Sequence, residues 1–169
     1  VQGAMNLIDA CIDSNVKKVI ALSTDKASSP ANLYGATKLV SDKLFIAGNS
    51  YSGNYGTKFS VVRYGNVMGS RGSVIPLFKH YDEMGKSLPV TNLNMTRCSI
   101  KMEDAINLVY IAMKKSFGGE IFIPKIKSYK LSDLVKAINP KKGFRITGVR
   151  YGEKMHEELI NFDESEHIY

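Results

Sequence analysis

Three polar residues, Thr24, Asp25 and Lys26, close an apolar run, and shortly after them Tyr34 stands four positions ahead of Lys38. A Tyr-x-x-x-Lys pair at the opening of a helix puts both side chains on one face a turn apart, so an ammonium can sit beside a phenol. Free tyrosine titrates near ~10, so a phenolate base working near neutrality needs an adjacent positive charge and partial desolvation. Lys38 is expected to supply that charge to Tyr34. Asp25 and Lys26 form either an acid/base pair or an ordinary ion pair in a capped turn, and the residue types alone allow both.

The elements that must position these groups can be read around them. Val19-Ile20-Ala21-Leu22-Ser23 is an uninterrupted apolar stretch of the kind found in buried parallel strands. Thr24, Asp25 and Lys26 then fall at the carboxyl end of that strand, where open α/β sheets bind their ligands. The helix that opens with Leu33 and Tyr34 is expected to bury Leu33, Ala36, Val40, Leu44 and Ala47, leaving Tyr34 and Lys38 on a flank.

Strand-Ser-Thr-Asp-Lys, a Pro30-Ala31-Asn32 loop and the helix opening Leu33-Tyr34-Gly35-Ala36-Thr37-Lys38 resemble the extended short-chain dehydrogenase/reductase superfamily. More narrowly, Ala21 to Lys38 is similar to the soluble, inverting UDP-N-acetylglucosamine 4,6-dehydratases of the CapD-like polysaccharide-biosynthesis family. Arg63-Tyr64-Gly65-Asn66-Val67, Met95-Thr96-Arg97 and Arg150-Tyr151-Gly152-Glu153-Lys154-Met155-His156-Glu157 extend the likeness along nearly the whole chain. The resemblance implies an NADP-dependent lyase in which Tyr34 removes the C4 hydroxyl proton, Thr24 hydrogen-bonds that hydroxyl, and Asp25 and Lys26 serve the C5 and C6 steps. It further implies that Tyr34 and Lys38 meet the cofactor, and that Asn66, Arg97, Arg150 and Glu153 bind a UDP-linked sugar. Thr24-Asp25-Lys26 in place of Thr-Asp-Glu points to the N-acetylglucosamine branch, and Tyr34 to the C5-inverting type. Cys98 and Ser99 stand where relatives carry aromatics, and Tyr151 where they carry proline. A C4-epimerase of the same superfamily, or a non-catalytic sugar-nucleotide-binding remnant, are the alternatives.

The expected fold is α/β: the later part of a doubly wound, Rossmann-like parallel sheet plus a small substrate-binding region. Residues 1–87 are assigned to the first and 88–169 mainly to the second. No Gly-x-Gly-x-x-Gly run follows a first strand, and Gly69-Ser70-Arg71-Gly72 lacks that context, so the glycine-rich βαβ unit is not in this sequence. The opening Val1-Gln2-Gly3, running straight into helical periodicity, reads as a cut start. The chain alone is therefore expected to bind no NADP, to be catalytically silent and, with apolar surface bare, to associate into homo-oligomers.

At 169 residues, 44% hydrophobic and 23% charged, the composition is that of an ordinary globular domain, without an apolar run long enough for a membrane span. The net charge of +7 comes from scattered lysines rather than a basic stripe interleaved with aromatics, so a diphosphate ligand explains it better than nucleic acid. Cys11 and Cys98 match neither a disulfide framework nor a metal spacing and read as reduced cytoplasmic thiols, with Cys98 placed in a loop. Further expectations are a helix over Met5 to Ile12 ending near Asn15, a loop from Gly48 to Gly56 and a strand over Phe59 to Tyr64. A helix beginning at Ser73 should reach about Met84. Another should bury Met102, Ala105, Ile106, Val109, Ala112 and Met113, and His156 is read as a structural helix residue.

Overall fold

The computed structural model describes residues 1–53 and 56–169. In chain order the elements are α1 (Gln2–Asp13), β1 (Lys18–Thr24), a 3₁₀ turn (Asp25–Ala27), α2 (Leu33–Ser52), β2 (Lys58–Tyr64), β3 (Asn66–Val67) and α3 (Val74–Glu83). They continue with β4 (Leu88–Val90), β5 (Thr96–Ile100), α4 (Met102–Lys115), β6 (Ile121–Phe122), β7 (Ser128–Lys130), α5 (Leu131–Ile138), β8 (Phe144–Ile146) and α6 (Phe162–Ser165). The order β1-β2-β6 is all parallel, with Ser23 opposite Arg63 and Thr24 opposite Tyr64. Parallel neighbours require crossover helices, and α2 and α4 lie in the two connections and pack on these strands.

The expected α/β architecture with parallel strands is present. Two cores hold it. Ile8, Phe45, Phe59 and Val61 join α1 and α2 to the β1-β2 sheet. Phe78, Leu88, Val90, Met95, Leu131 and Val135 join α3 and α5 to the later strands, where β3 pairs with β5 in parallel, β5 with β7 antiparallel, and β4 with β8 in parallel. The short β3 follows β2 after Gly65 alone. A Cβ on Gly65 would lie 2.5 Å from the Cys98 carbonyl oxygen, so the glycine lets the two sheets meet there.

Several helix faces differ from the hydropathy reading. On α2, Leu33 is 80% and Val40 43% exposed, whereas the buried positions are Gly35, Asp42, Phe45, Gly48 and Ser52. The reason is close approach: a Cβ on Gly35 would strike the Lys26 carbonyl oxygen, and one on Gly48 would press on Phe59 and Ile8. Small residues stand where neighbours crowd the helix, Phe45 rather than Leu33 or Val40 is its buried large side chain, and the expected Leu44 packs partly against the same core. On α4 only Ala105 and Ala112 are buried, Val109 is half-buried, and Met102, Ile106 and Met113 are about half exposed.

The loop expected from Gly48 onward is helix as far as Ser52, and residues 54–55 of that stretch lie outside the described residues. Asn49 sustains this turn by pairing with β2, its Nδ2 donating to the Phe59 carbonyl at 2.8 Å and its Oδ1 accepting from Phe59 N–H at 3.0 Å. Cys98 lies in β5, not a loop, opposite Ser128 of the strand β7. His156 is not helical: it forms an isolated bridge with Thr96, whose Oγ1 is 2.9 Å from His156 Nδ1.

Candidate active site

Strand β1 ends in a turn that bends back over itself. Thr24 caps the 3₁₀ turn, its Oγ1 accepting from Lys26 N–H at 3.4 Å while its hydroxyl donates to Asp25 Oδ1 at 2.9 Å. Asp25 is fully buried, and its Oδ1 also holds Lys26 Nζ at 3.0 Å. Asp25 Oδ2 is buried without a hydrogen-bond partner among the described residues. The Lys26 ammonium additionally lies 3.5 Å from Asn66 Oδ1 and 3.8 Å from Glu157 Oε1. It therefore collects oxygens from its own neighbour and from two segments remote in sequence.

Asn32 caps α2, its Oδ1 accepting from Gly35 N–H at 2.9 Å. The helix thus starts just before Tyr34, a residue 56% exposed that lines the cleft beside the turn. Lys38, one turn on, sends its Nζ to the Leu22 carbonyl at 2.8 Å, on β1. The same Asn32 donates through Nδ2 to the Gly152 carbonyl at 2.8 Å, and Gly152 has φ of +78° in the turn that carries Arg150 and Glu153. A Cβ there would come within 2.9 Å of Asn32, so glycine serves both the backbone conformation and the contact.

These elements enclose an open cleft of about 720 Å³. Thr24, Lys26, Tyr34, Asn66, Arg97 and Glu153 all line it, bringing together six of the nine residues singled out from sequence. Asp25, Lys38 and Arg150 are not part of the lining: Asp25 is buried, Lys38 of α2 is bonded to the Leu22 carbonyl, and Arg150 has its N–H on Glu153 Oε2 at 3.3 Å. Arg97 is part-fixed: its Nη1 donates to the Thr96 and Met155 carbonyls at 2.7 and 3.3 Å, and its Nη2 to Met95 Sδ at 3.4 Å. Such a held guanidinium suits a diphosphate. The Ser70-Arg71-Gly72-Ser73 turn at the start of α3 forms another wall.

Sequence reasoning passed over two features. Glu157 lines the cleft with its side chain 5% exposed, between Lys26 and Lys154 Nζ, which is 3.6 Å away. Its only signal was its place at the end of the Arg150 to Glu157 segment. Arg63, fully buried at the end of β2, pairs with Asp42 at 3.3 Å and Glu164 at 2.7 Å, while Ser23 donates to Asp42 at 2.7 Å. Burial pushes the Asp42 carboxyl up from its ordinary value against the pull of Ser23 and Arg63. This network fastens the Tyr34 helix, the strand bearing Thr24 and the C-terminal α6 to one another. Burial also raises the Cys98 thiol, and the negative charges of Asp25 and Glu157 add to that, so the cysteine beside the site is held as a neutral thiol.

For a nicotinamide dinucleotide, the fit is partial. Tyr34 and Lys38 lie in the first turns of α2, with the Lys38 ammonium on the Leu22 carbonyl near the carboxyl end of the parallel strand β1, but the sequence has no glycine-rich turn to cradle a pyrophosphate. No cluster of metal-ligating side chains occurs among the described residues, and no helix among them is long and apolar enough to cross a membrane.

Over residues 1–169 the chain matches the family described as "Polysaccharide biosynthesis protein". It is 54% identical over its full length to an inverting UDP-N-acetylglucosamine 4,6-dehydratase of Campylobacter jejuni, covering 51% of that protein. It is 41% identical, over 97% of its length, to a UDP-glucose 4-epimerase of Rickettsia rickettsii, covering 49% of it. The chain thus spans about half the length of the curated relatives it matches. Among solved structures, Pen from Bacillus thuringiensis superposes with a TM-score of 0.93 at 41% identity, over 98% of this chain and 53% of that one. DesIV, a dTDP-glucose 4,6-dehydratase from Streptomyces venezuelae solved with NAD and TYD, shares the fold with a TM-score of 0.81 at 22% identity, over 94% and 56% of the two chains. From its first residue to its last, the chain belongs to the polysaccharide biosynthesis protein family.

Proposed function

We propose that this chain carries the catalytic and sugar-binding part of a UDP-N-acetylglucosamine 4,6-dehydratase that forms a 4-keto-6-deoxy sugar with inversion at C5. In this reading residues 1–87 belong to the dinucleotide-binding domain and 88–169 mainly to the sugar-nucleotide region. NADP is the dinucleotide, and the working enzyme is a cytoplasmic homo-oligomer. The supporting observation is the convergence of Thr24, Lys26, Tyr34, Asn66, Arg97 and Glu153 on one cleft.

A bound nicotinamide supplies the hydride acceptor and donor; the residues of this chain handle protons and position. Tyr34, at the mouth of α2, takes the C4 hydroxyl proton, and Thr24, anchored on Asp25, orients that hydroxyl. Oxidation at C4 makes the C5 hydrogen acidic. Lys26 is the residue of the turn that reaches the cleft, so it faces C5 and C6, whereas buried Asp25 acts through its contacts with Thr24 and Lys26. For Lys26 to accept a proton it must first give one up, and the carboxylates of Asp25 and Glu157 beside it are the groups able to take it, while the Asn66 amide oxygen only accepts a hydrogen bond. Arg97 and Asn66 hold the diphosphate and sugar, and Arg150 and Glu153 the nucleoside end.

The test is Lys26→Ala in an enzyme of full family length carrying this segment. Hydride should still leave C4, while deuterium uptake at C5 from heavy water and release of the 4-keto-6-deoxy product should fall by ~10² to 10⁴. Near-unchanged product release and deuterium uptake would remove Lys26 from the mechanism. A wild-type product that keeps its C6 oxygen and is inverted at C4 would replace the dehydratase reading with an epimerase.

A further inference from the structure

We propose that Glu157 is the positioning residue for Lys26, with the C-terminal segment completing from behind the acid/base group that β1 presents; this rests on the reading that Lys26 works in the cleft. An ammonium on a four-carbon stem is mobile unless its three N–H groups find acceptors. Among the described residues, Lys26 Nζ donates to Asp25 Oδ1 at 3.0 Å and Asn66 Oδ1 at 3.5 Å, and the Glu157 Oε1 charge lies 3.8 Å away, in ion-pair rather than hydrogen-bond range. Asp25 is the neighbouring residue in the same turn and moves with Lys26. Asn66 is neutral. Among the described residues, Glu157 is the one charged group paired with Lys26 from a distant part of the chain.

The surroundings of Glu157 show that it is held there. Its side chain is 5% exposed, and its Oε2 is buried with no hydrogen-bond partner among the described residues. A buried carboxylate left without a hydrogen bond is costly and is retained only where neighbouring charges compensate it. Two cations do so, Lys26 at 3.8 Å and Lys154 at 3.6 Å. Lys154 in turn donates to the Ser28 carbonyl at 2.6 Å, so it fastens the segment bearing Glu157 to the end of the turn bearing Lys26. Thr96 N–H donating to the Met155 carbonyl at 3.0 Å fixes the same segment to β5. The backbone therefore sets where the Glu157 carboxylate lies, and the carboxylate sets where the ammonium lies.

Trace acetylation of all lysines with isotopically paired acetic anhydride, read peptide by peptide by mass spectrometry, tests this on the full chain without substrate or cofactor. In Glu157→Gln, Lys26 should react about two- to five-fold faster than in the wild type, the range expected from losing one partly exposed ion pair. Lys38, which sits on a backbone carbonyl, should be unchanged. Glu157→Asp keeps the charge but shortens the reach, so its Lys26 rate should lie between the two. An unchanged Lys26 rate in folded Glu157→Gln overturns the inference. So does acceleration of Lys154 alone, which would make Glu157 only the counter-ion of Lys154. If Glu157→Gln fails to fold, Glu157→Asp decides: a Lys26 rate above the wild type, with Lys38 unchanged, supports the inference, and a wild-type rate ends it. Since no turnover is measured, failure of the dehydratase reading leaves this outcome interpretable.

Discussion

Replacing Arg63 with methionine should be among the most damaging single changes in the chain. The guanidinium is fully buried, with Nη2 3.3 Å from Asp42 Oδ2 and Nη1 2.7 Å from Glu164 Oε2 and 3.1 Å from the Leu159 carbonyl. Methionine fills much of the volume but returns none of these contacts. Glu164 is 19% exposed and can recover water, whereas Asp42 is 2% exposed and cannot. Removing one partner of a buried ion pair costs about 3–5 kcal/mol, which at this chain length lowers the melting temperature by about 6–20 °C. The loss should depend on pH. Burial, outweighing Ser23 and Arg63, already puts the folded Asp42 carboxyl above its ordinary 3.8. A raised carboxyl contributes its stability below the unfolded value and loses it as pH rises through the folded one. Without Arg63 the folded value climbs further, so the deficit should be smaller near pH 5 than near pH 8. Urea unfolding at the two pH values measures it, and adding Asp42→Asn should recover part of the loss at the higher pH. A deficit under about 1 kcal/mol at both pH values would show that the network is not what ties α2 and α6 to β2.

Asn32→Ala removes both the α2 cap and the hydrogen bond to Gly152, so it should cost about 1 kcal/mol in urea unfolding. It should also speed amide exchange over residues 150–157, and unaltered exchange there would deny Asn32 its link to the cleft wall. Glu120 accepts from Phe117 and Gly118 N–H and from the Ser60 hydroxyl. Burial acts to raise its carboxyl, but these hydrogen bonds outweigh it and the net shift is downward from 4.5. Its stability is thus present above 4.5 and lost as pH falls through the lowered folded value. Glu120→Gln should therefore destabilise by about 1 kcal/mol at neutral pH and show a shallower decline on acidification, as urea midpoints at pH 7 and pH 3 would reveal.

Local chemistry was legible in the sequence where it depends on neighbours along the chain. The apolar run before Thr24 is β1 and the helix opening with Leu33 and Tyr34 is α2, because such strands and helix starts are decided within a few residues. The family likeness, carried by the Ser-Thr-Asp-Lys and Tyr-x-x-x-Lys segments, pointed to most of one cleft. Helix facing was not legible. Gly35 packs on the Lys26 carbonyl of the 3₁₀ turn, Gly48 on the Phe59 and Ile8 side chains, and Ala105 and Ala112 are the buried positions of α4, a crowding that arises only once elements are packed. Nor could sequence show that Glu157 reaches Lys26, or that Arg63 joins Asp42 to Glu164. A charged residue reads as exposed until folding brings its counter-charge to it across many intervening residues, and burial then makes the pairing decisive. The sequence by itself thus determined which polar groups are on hand for the proton transfer and diphosphate binding proposed above. The tertiary structure alone decided which of them meet and which way they face, since both depend on contacts between segments far apart along the chain.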